Sequence, residues 1–168
     1  VTHGYTSGPS MLSQGHHTAE GSWAPLLGPG QPLDTDRYFI VCSNMLGSSF
    51  GTTGPSSINP ETGQPWGQTF PAITLQDIVG VQRRLLQQLG VTHLRAVVGP
   101  SYGGWQALQW GLQYPGMVDA VGSIVSGLTH PKGLSAAGQR ERFAASPEWR
   151  DGDFYAHGGM PQTLFELR

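Results

Sequence analysis

The chain has 168 residues, a formal net charge of −2 and only 12% charged side chains. That is enough length for one domain with a real core, and the absence of any basic run argues against nucleic acid or anionic membrane surfaces as partners. One cysteine, Cys42, excludes an internal disulfide framework. With no apolar run of the ~18 residues a membrane span needs and no secretory leader pattern, the expectation is a cytoplasmic protein without a membrane partner.

Residues 1–8, Val-Thr-His-Gly-Tyr-Thr-Ser-Gly, read as the end of a strand running into a loop of small residues. A His-Gly pair just after a buried strand is a known place for an oxyanion-hole N–H donor. The backbone of Tyr5, or of Thr6, is the candidate. His3 is read as a loop-shaping histidine in preference to a base, because where a serine nucleophile sits on a strand-to-helix elbow, as proposed for this chain below, the base comes last in the chain. Residues 9–33 carry no periodic pattern. His16 and His17 are adjacent and would face different ways, and no metal-ligand spacing occurs, so no metal site is expected. Trp23, Leu26 and Leu27 suggest a short helix or turn, broken by Gly28-Pro29-Gly30.

The apolar run over 37–43 has the character of a parallel strand buried on both faces, with Cys42 as a core thiol. A long Gly- and Pro-rich loop follows from Asn44 to Gly67, as ligand-binding loops do beyond the carboxyl end of a strand. Thr74, Asp77 and Gly90 mark the two ends of a helix over 74–89, with Ile78, Leu85, Leu86 and Leu89, and Val81 or Gln82, as its apolar face.

Strand 94–98 then runs into Gly99-Pro100-Ser101-Tyr102-Gly103. Gly-x-Ser-x-Gly between an apolar strand and a helix is the nucleophile-elbow pattern. The turn is so sharp that only small neighbours let strand and helix approach. It presents Ser101 Oγ at the end of the sheet and aims the first N–H groups of the next helix at whatever the serine attacks. Ser101 is the candidate nucleophile, with the Tyr102 N–H as second oxyanion donor beside Tyr5. The following helix ends at Tyr114 before Pro115-Gly116, with Trp105, Leu108 and Leu112 as its expected buried stripe. Another strand is expected over 118–125. Alternating strands and helices imply a mostly parallel sheet.

From residue 126 the character changes. A loop at 129–133 precedes a helix over 134–145, and Trp149, Phe154, Tyr155, Met160 and Phe165 lie among glycines with no strand to join. The expected organisation is an α/β core over 1–128 and the start of a helical cap over 129–168. The first residues resemble a strand cut short and Arg168 falls within a helix-like pattern, so a piece of a longer chain is expected. A serine needs a base, and chain order puts acid and histidine after it. They are expected beyond Arg168, the alternative being an internal triad Ser101–Asp153–His157.

Several longer stretches resemble the homoserine O-acetyltransferases of the α/β-hydrolase fold and their serine and homoserine acyltransferase relatives. They are 27–30 (Leu-Gly-Pro-Gly), 33–39 (Leu-Asp-Thr-Asp-Arg-Tyr-Phe), 43–47 (Ser-Asn-Met-Leu-Gly), 54–60 (Gly-Pro-Ser-Ser-Ile-Asn-Pro), Phe70-Pro71, and the elbow continued by Gln106-Ala107-Leu108-Gln109-Trp110. The resemblance spans most of 24–150. It implies ping-pong transfer of an acetyl group from acetyl-CoA, as a substrate and with no bound cofactor, to the hydroxyl of homoserine or serine. It also implies an arginine of the first cap helix, best matched by Arg140, on the acceptor's carboxylate, and possible homodimers. The chain departs from the family's His-Ala-Leu-Thr-Gly loop at residues 3–8. It also has Pro100 and Tyr102 where Gly and Met are usual. A serine esterase using the same elbow, or an inactive piece with an interaction role, is the alternative.

Overall fold

The computed structural model describes residues 1–16, 21–128 and 135–166. The chain falls into two compact units, one of Val1–Thr52 with Ile73–Ser126 and one of Thr53–Ala72 with Gly127–Arg168.

The first unit is built on a parallel pair, β3 (Val97–Pro100) and β4 (Val121–Ile124), after two-residue strands β1 (Leu27–Gly28) and β2 (Leu33–Asp34) that pair around the Gly-Pro-Gly turn. Val97 faces Val121 and Pro100 faces Ile124 in register. On the other side of β3 the Thr2 N–H donates to the Val98 carbonyl at 2.9 Å, and the amino group of Val1 donates to the Val41 carbonyl at 2.8 Å. The lateral order is thus the 38–43 segment, residues 1–2, β3, β4. Two helices pack here, α1 (Leu75–Gln88) and α2 (Tyr102–Gln113). Val79, Leu86, Val97, Ala107 and Trp110 form the buried core, flanked by Val41, Val91, Leu94 and Met117.

Local chemistry sets α1's ends as expected. Thr74 and Asp77 form a reciprocal capping box: the Asp77 N–H donates to Thr74 Oγ1 at 3.2 Å, and the Thr74 N–H to Asp77 Oδ2 at 2.9 Å. Gly90 sits at φ 74°, the left-handed conformation that ends helices cheaply only for glycine. The paired bonds Gly90 N–H to Gln87 O and Val91 N–H to Leu86 O, with Val91 packed on the core that includes Leu86, complete the stop.

Three expectations are corrected. The 37–43 run forms no strand ladder: Phe39 is 74% exposed, and the segment walls a cavity of about 660 Å³ whose other side is Leu85, Leu86 and Leu94. Apolar sequence fits a strand here, but a ladder needs paired backbone on its flank, and the bond to Val1 gives it one contact. In α1 the buried face is Ile78, Val79, Gln82 and Leu86, while Val81, Leu85 and Leu89 are exposed. In α2 it is Gly103, Gly104, Gln106, Ala107 and Trp110, and Leu112 is 78% exposed. Both helices turn a glutamine inward because each glutamine is hydrogen-bonded there, as described below. Cys42 is half-buried, and that burial pushes its thiol above the usual range.

The second unit holds α3 (Ala136–Ala144), whose N-terminus is capped by Ser135 Oγ accepting from the Gly138 N–H at 3.1 Å. It also holds a 3₁₀ stretch Pro147–Gly152 and the short helix α4 (Pro161–Glu166). The Glu148 carboxylate caps α4, accepting from the Thr163 N–H at 2.8 Å and the Thr163 hydroxyl at 2.7 Å. These bonds hold its carboxyl below the usual range. Residues 53–67 of the long loop, with 68–72 after it, belong to this unit. The expected loop at 129–133 lies outside the described residues. Among the described residues no helix is long and apolar enough to cross a membrane.

Candidate active site

β3 delivers the chain to Ser101, which takes φ 52°, ψ −123°. A non-glycine residue at positive φ with this ψ is strained by about 1–3 kcal/mol, a cost that persists only where surroundings over-determine it. They do so on three sides. The Ser101 N–H donates to the Ile124 carbonyl at 2.9 Å. The Ser101 carbonyl accepts from the Gly104 N–H at 3.0 Å and from the Ser126 hydroxyl at 2.6 Å. Ser126 follows Val125, itself at φ 47°, so the chain beyond β4 bends sharply beside the elbow.

The glycines are required sterically. A Cβ on Gly99 would strike the Thr2 side chain and carbonyl and stand 2.7 Å from the Gly103 carbonyl carbon; one on Gly103 would enter the Thr2 carbonyl and lie 3.0 Å from His3 C. One on Gly104 would collide with Ser126 Oγ. These contacts bring the 1–4 segment onto the elbow, and the Thr2 hydroxyl donates to the Gly103 carbonyl at 2.8 Å.

Tyr102 stands at the first position of α2, where an N–H has no intrahelical carbonyl to bond and the helix dipole favours negative charge. Its ring meets that of Tyr5 edge-on at 6.4 Å and that of Trp105 at 5.6 Å. The rings of the two residues expected to supply oxyanion N–H groups are therefore in edge-on contact, with Tyr102 next to Ser101 in the chain. Tyr5 is 71% exposed. Burial, and secondarily the Tyr5 phenol, pushes the Tyr102 phenol above its usual range.

His3 is fully buried. Its Nδ1 lies 2.8 Å from the Gly4 carbonyl and so carries the proton, while Nε2 accepts from the Met45 N–H at 3.1 Å. With both nitrogens engaged it shapes the loop and has no lone pair to offer Ser101. His93 instead pairs with Asp119 at 2.9 Å on the surface, where Arg95 joins at 3.1 Å. Asp153 and His157 of the alternative triad stand 3.8 Å apart on one exposed turn of the second unit. Among the described residues no group of three or more metal-ligating side chains is found.

In the second unit, Arg140 Nη2 donates to Gln68 Oε1 at 3.1 Å and its guanidinium stands 6.0 Å from the Trp149 ring centre. Gln68 Nε2 donates in turn to the Asp151 carbonyl. Arg140, Gln68, Trp149, Phe154 and Tyr155 line a concave pocket of about 230 Å³. Sequence reasoning missed Gln68, Ser126 and the buried Gln106, and placed Gln82 on the inward face of α1 only as an alternative to Val81. The small-residue stripe Gly103, Gly104, Ala107 at helical spacing was the available signal for α2.

Residues 15–165 match the alpha/beta hydrolase fold family. The chain is 50% identical over 147 residues to the homoserine O-acetyltransferase of Carboxydothermus hydrogenoformans, covering 86% of this chain and 38% of that protein. It is 48% identical over 155 residues to the homoserine O-succinyltransferase of Magnetococcus marinus, covering 89% and 39%. Among solved structures, esterase E22 superposes with a TM-score of 0.79 at 32% identity, over 91% of this chain and 44% of that one. The homoserine O-acetyltransferase from Bacillus anthracis gives 0.78 at 32% identity, over 92% and 44%. The chain thus spans 38–39% of the length of these curated relatives.

Proposed function

The chain belongs to the α/β-hydrolase fold family, and on that premise we propose that its protein is an O-acyltransferase that moves an acetyl group from acetyl-CoA to the hydroxyl of homoserine. The observation that carries the reading is the strained Ser101 between β3 and α2, in a chain half identical to a homoserine O-acetyltransferase. Ser101 Oγ attacks the thioester carbonyl and gives its proton to a general base, which in this fold is a histidine late in the chain. The Tyr102 and Tyr5 N–H groups hold the oxyanion of the tetrahedral intermediate. Collapse breaks the C–S bond, the thiol leaves with a proton, and acyl-Ser101 remains. The acceptor hydroxyl then gives up its proton, attacks the ester and restores the serine.

Arg140 takes the acceptor's carboxylate: a guanidinium fork suits it, and it stands beside Gln68 and Trp149 at the edge of a concave pocket. Residues 129–168 begin the helical cap, and 1–128, apart from the 53–72 stretch and the last two residues that fall in the second unit, form the core. The enzyme works in the cytoplasm as a homodimer on small-molecule substrates. The likeness to esterase E22 supports a second reading, in which water takes the acyl group.

Intact mass after brief mixing with acetyl-CoA tests both. An acetyl adduct absent from Ser101→Ala and discharged faster by homoserine than by buffer is the expected result. Equal discharge with and without homoserine overturns transfer in favour of hydrolysis. Arg140→Lys raises KM for homoserine about tenfold with kcat little changed, because the fork is lost and the charge kept. An unchanged KM removes Arg140 from the acceptor site.

A further inference from the structure

Four side chains in the first unit are polar or carry an N–H and are almost wholly buried: His3 and Gln106 at 0%, Trp110 at 2% and Gln82 at 5%. Buried polar groups persist only when partnered: Trp110, Gln82 and Gln106 partner one another and reach the backbone carbonyl of His3, while the His3 ring is held by Gly4 and Met45. Trp110 Nε1 lies 2.7 Å from Gln82 Oε1, Gln82 Nε2 lies 2.7 Å from Gln106 Oε1, and Gln106 Nε2 lies 2.9 Å from the His3 carbonyl. The direction of the relay is forced. An indole N–H only donates, so the Gln82 atom facing it is the oxygen. The Gln82 amide nitrogen must then donate to the Gln106 oxygen, and the Gln106 nitrogen points at His3.

The relay ends on the segment that leads to Tyr5. Gln106 fixes the His3 carbonyl and, since a peptide is planar and trans, the Gly4 N–H opposite. The His3 Nδ1–H holds the Gly4 carbonyl at 2.8 Å, and so orients the Tyr5 N–H at the other end of that peptide. Two successive peptides are clamped, the first by Gln106 and the second by a ring whose far nitrogen is held by the Met45 N–H.

We propose that Gln106 is a positioning residue of the acyl-transfer site: from the helix that Ser101 caps, it holds the His3–Gly4 peptide, and through it the Tyr5 N–H, where the oxyanion forms. This rests on the reading of Ser101 and Tyr5 given above. The groups facing Gln106 are Gln82, the His3 carbonyl and Met45 Sδ at 3.6 Å. His3 is the titratable residue among them, and its ring nitrogens are both engaged.

The test uses the full-length protein, acetyl-CoA and 4-nitrophenyl acetate. Acylation of Ser101 is followed by mass and by nitrophenolate release in wild type, Gln106→Leu and Gln106→Glu, with circular dichroism at each pH. A loosened donor is felt only in the transition state. Gln106→Leu therefore lowers the acylation rate about tenfold to hundredfold, less than the 10²–10³ lost when a donor is removed outright, and leaves KM within about twofold.

Gln106→Glu keeps the inference testable if the leucine variant fails to fold. Protonated, the carboxyl can accept from Gln82 and donate to the His3 carbonyl; ionised, it can only accept. Burial raises a carboxyl pKa, to as much as ~8–9. The rate of Gln106→Glu is therefore near wild type at low pH and falls as pH rises through that value, a limb the wild type lacks, with the fold intact. A folded Gln106→Leu that acylates like wild type, a loss confined to KM, or a Gln106→Glu profile parallel to wild type overturns the inference. A wild type that forms no acyl-Ser101 overturns the underlying reading instead.

Discussion

Two short apolar runs, 38–43 and 97–100, look alike as sequence and fare oppositely in the fold. Val97 is 4% exposed, in a strand with Thr2 on one flank and β4 on the other. Phe39 is 74% exposed, beside a cavity of about 660 Å³. The difference lies in the neighbours each run can admit. Gly99 and Gly103 carry no Cβ where Thr2 and His3 press in, so the elbow is specified by absent atoms. Among the described residues, the backbone beside 38–43 is that of Val1, whose amino group donates to the Val41 carbonyl.

If the elbow is over-determined, its strain is removable at the expense of activity. Ser101→Gly relieves the positive φ of 52° and raises stability by about 1 kcal/mol, while acyl transfer falls on the order of 10⁶-fold, as when a catalytic serine is lost elsewhere. Thermal melts and turnover on the same preparation check this. A variant no more stable than wild type would mean the turn is unstrained.

Steric specification predicts a sharp split between glycines. Gly103→Ala drives a methyl into the Thr2 backbone, which cannot swing aside as a flexible side chain would. A loss above about 3 kcal/mol is expected. Gly116→Ala, with nothing within 4 Å, stays within about 0.5–1 kcal/mol of wild type. Urea unfolding of both gives the answer, and equal losses would contradict the account of the elbow.

The split also marks what could be read from sequence. The elbow and both ends of α1 were legible because their determinants are local: Gly-x-Ser-x-Gly, the Thr74–Asp77 box and Gly90 act within a few residues. The inward faces of the helices were legible only in part: Ile78, Gln82 and Leu86 lie on the expected face of α1, whereas the buried face of α2 holds none of Trp105, Leu108 and Leu112. Gln82 and Gln106 are buried because Trp110 and the His3 carbonyl meet them, and His3 lies 103 residues from Gln106. A hydrophobic stripe cannot encode such partners, so it favoured Leu112, which is solvent-facing. The 38–43 run differs for a related reason, since strand character is local and the backbone that flanks a strand is not. Val79→Ala, at 0% exposure, is accordingly expected to cost about 1–3 kcal/mol, and Leu112→Ala under about 0.5 kcal/mol. Denaturant midpoints showing the reverse order would restore the hydrophobic stripe.

The smallest expected effect belongs to the local determinants. Asp77 is held below the usual carboxylate range, first by the Thr74 hydroxyl and then by the Thr74 N–H. A carboxyl lowered in the folded state binds protons more weakly there than in the unfolded chain. Its contribution is therefore complete above the unfolded value of ~3.9 and is lost as pH falls through the folded value. Glu148, lowered by the bonds from Thr163, follows the same sign in the second unit. Thr74→Val removes the hydroxyl and keeps the shape, so the acid-side slope of stability, measured by urea unfolding from pH ~6 downward, should flatten. The cap itself contributes about 1 kcal/mol at neutral pH. An acid slope identical in Thr74→Val and wild type would show that Asp77 is not tied to its cap, and that even this local signal takes its strength from packing elsewhere.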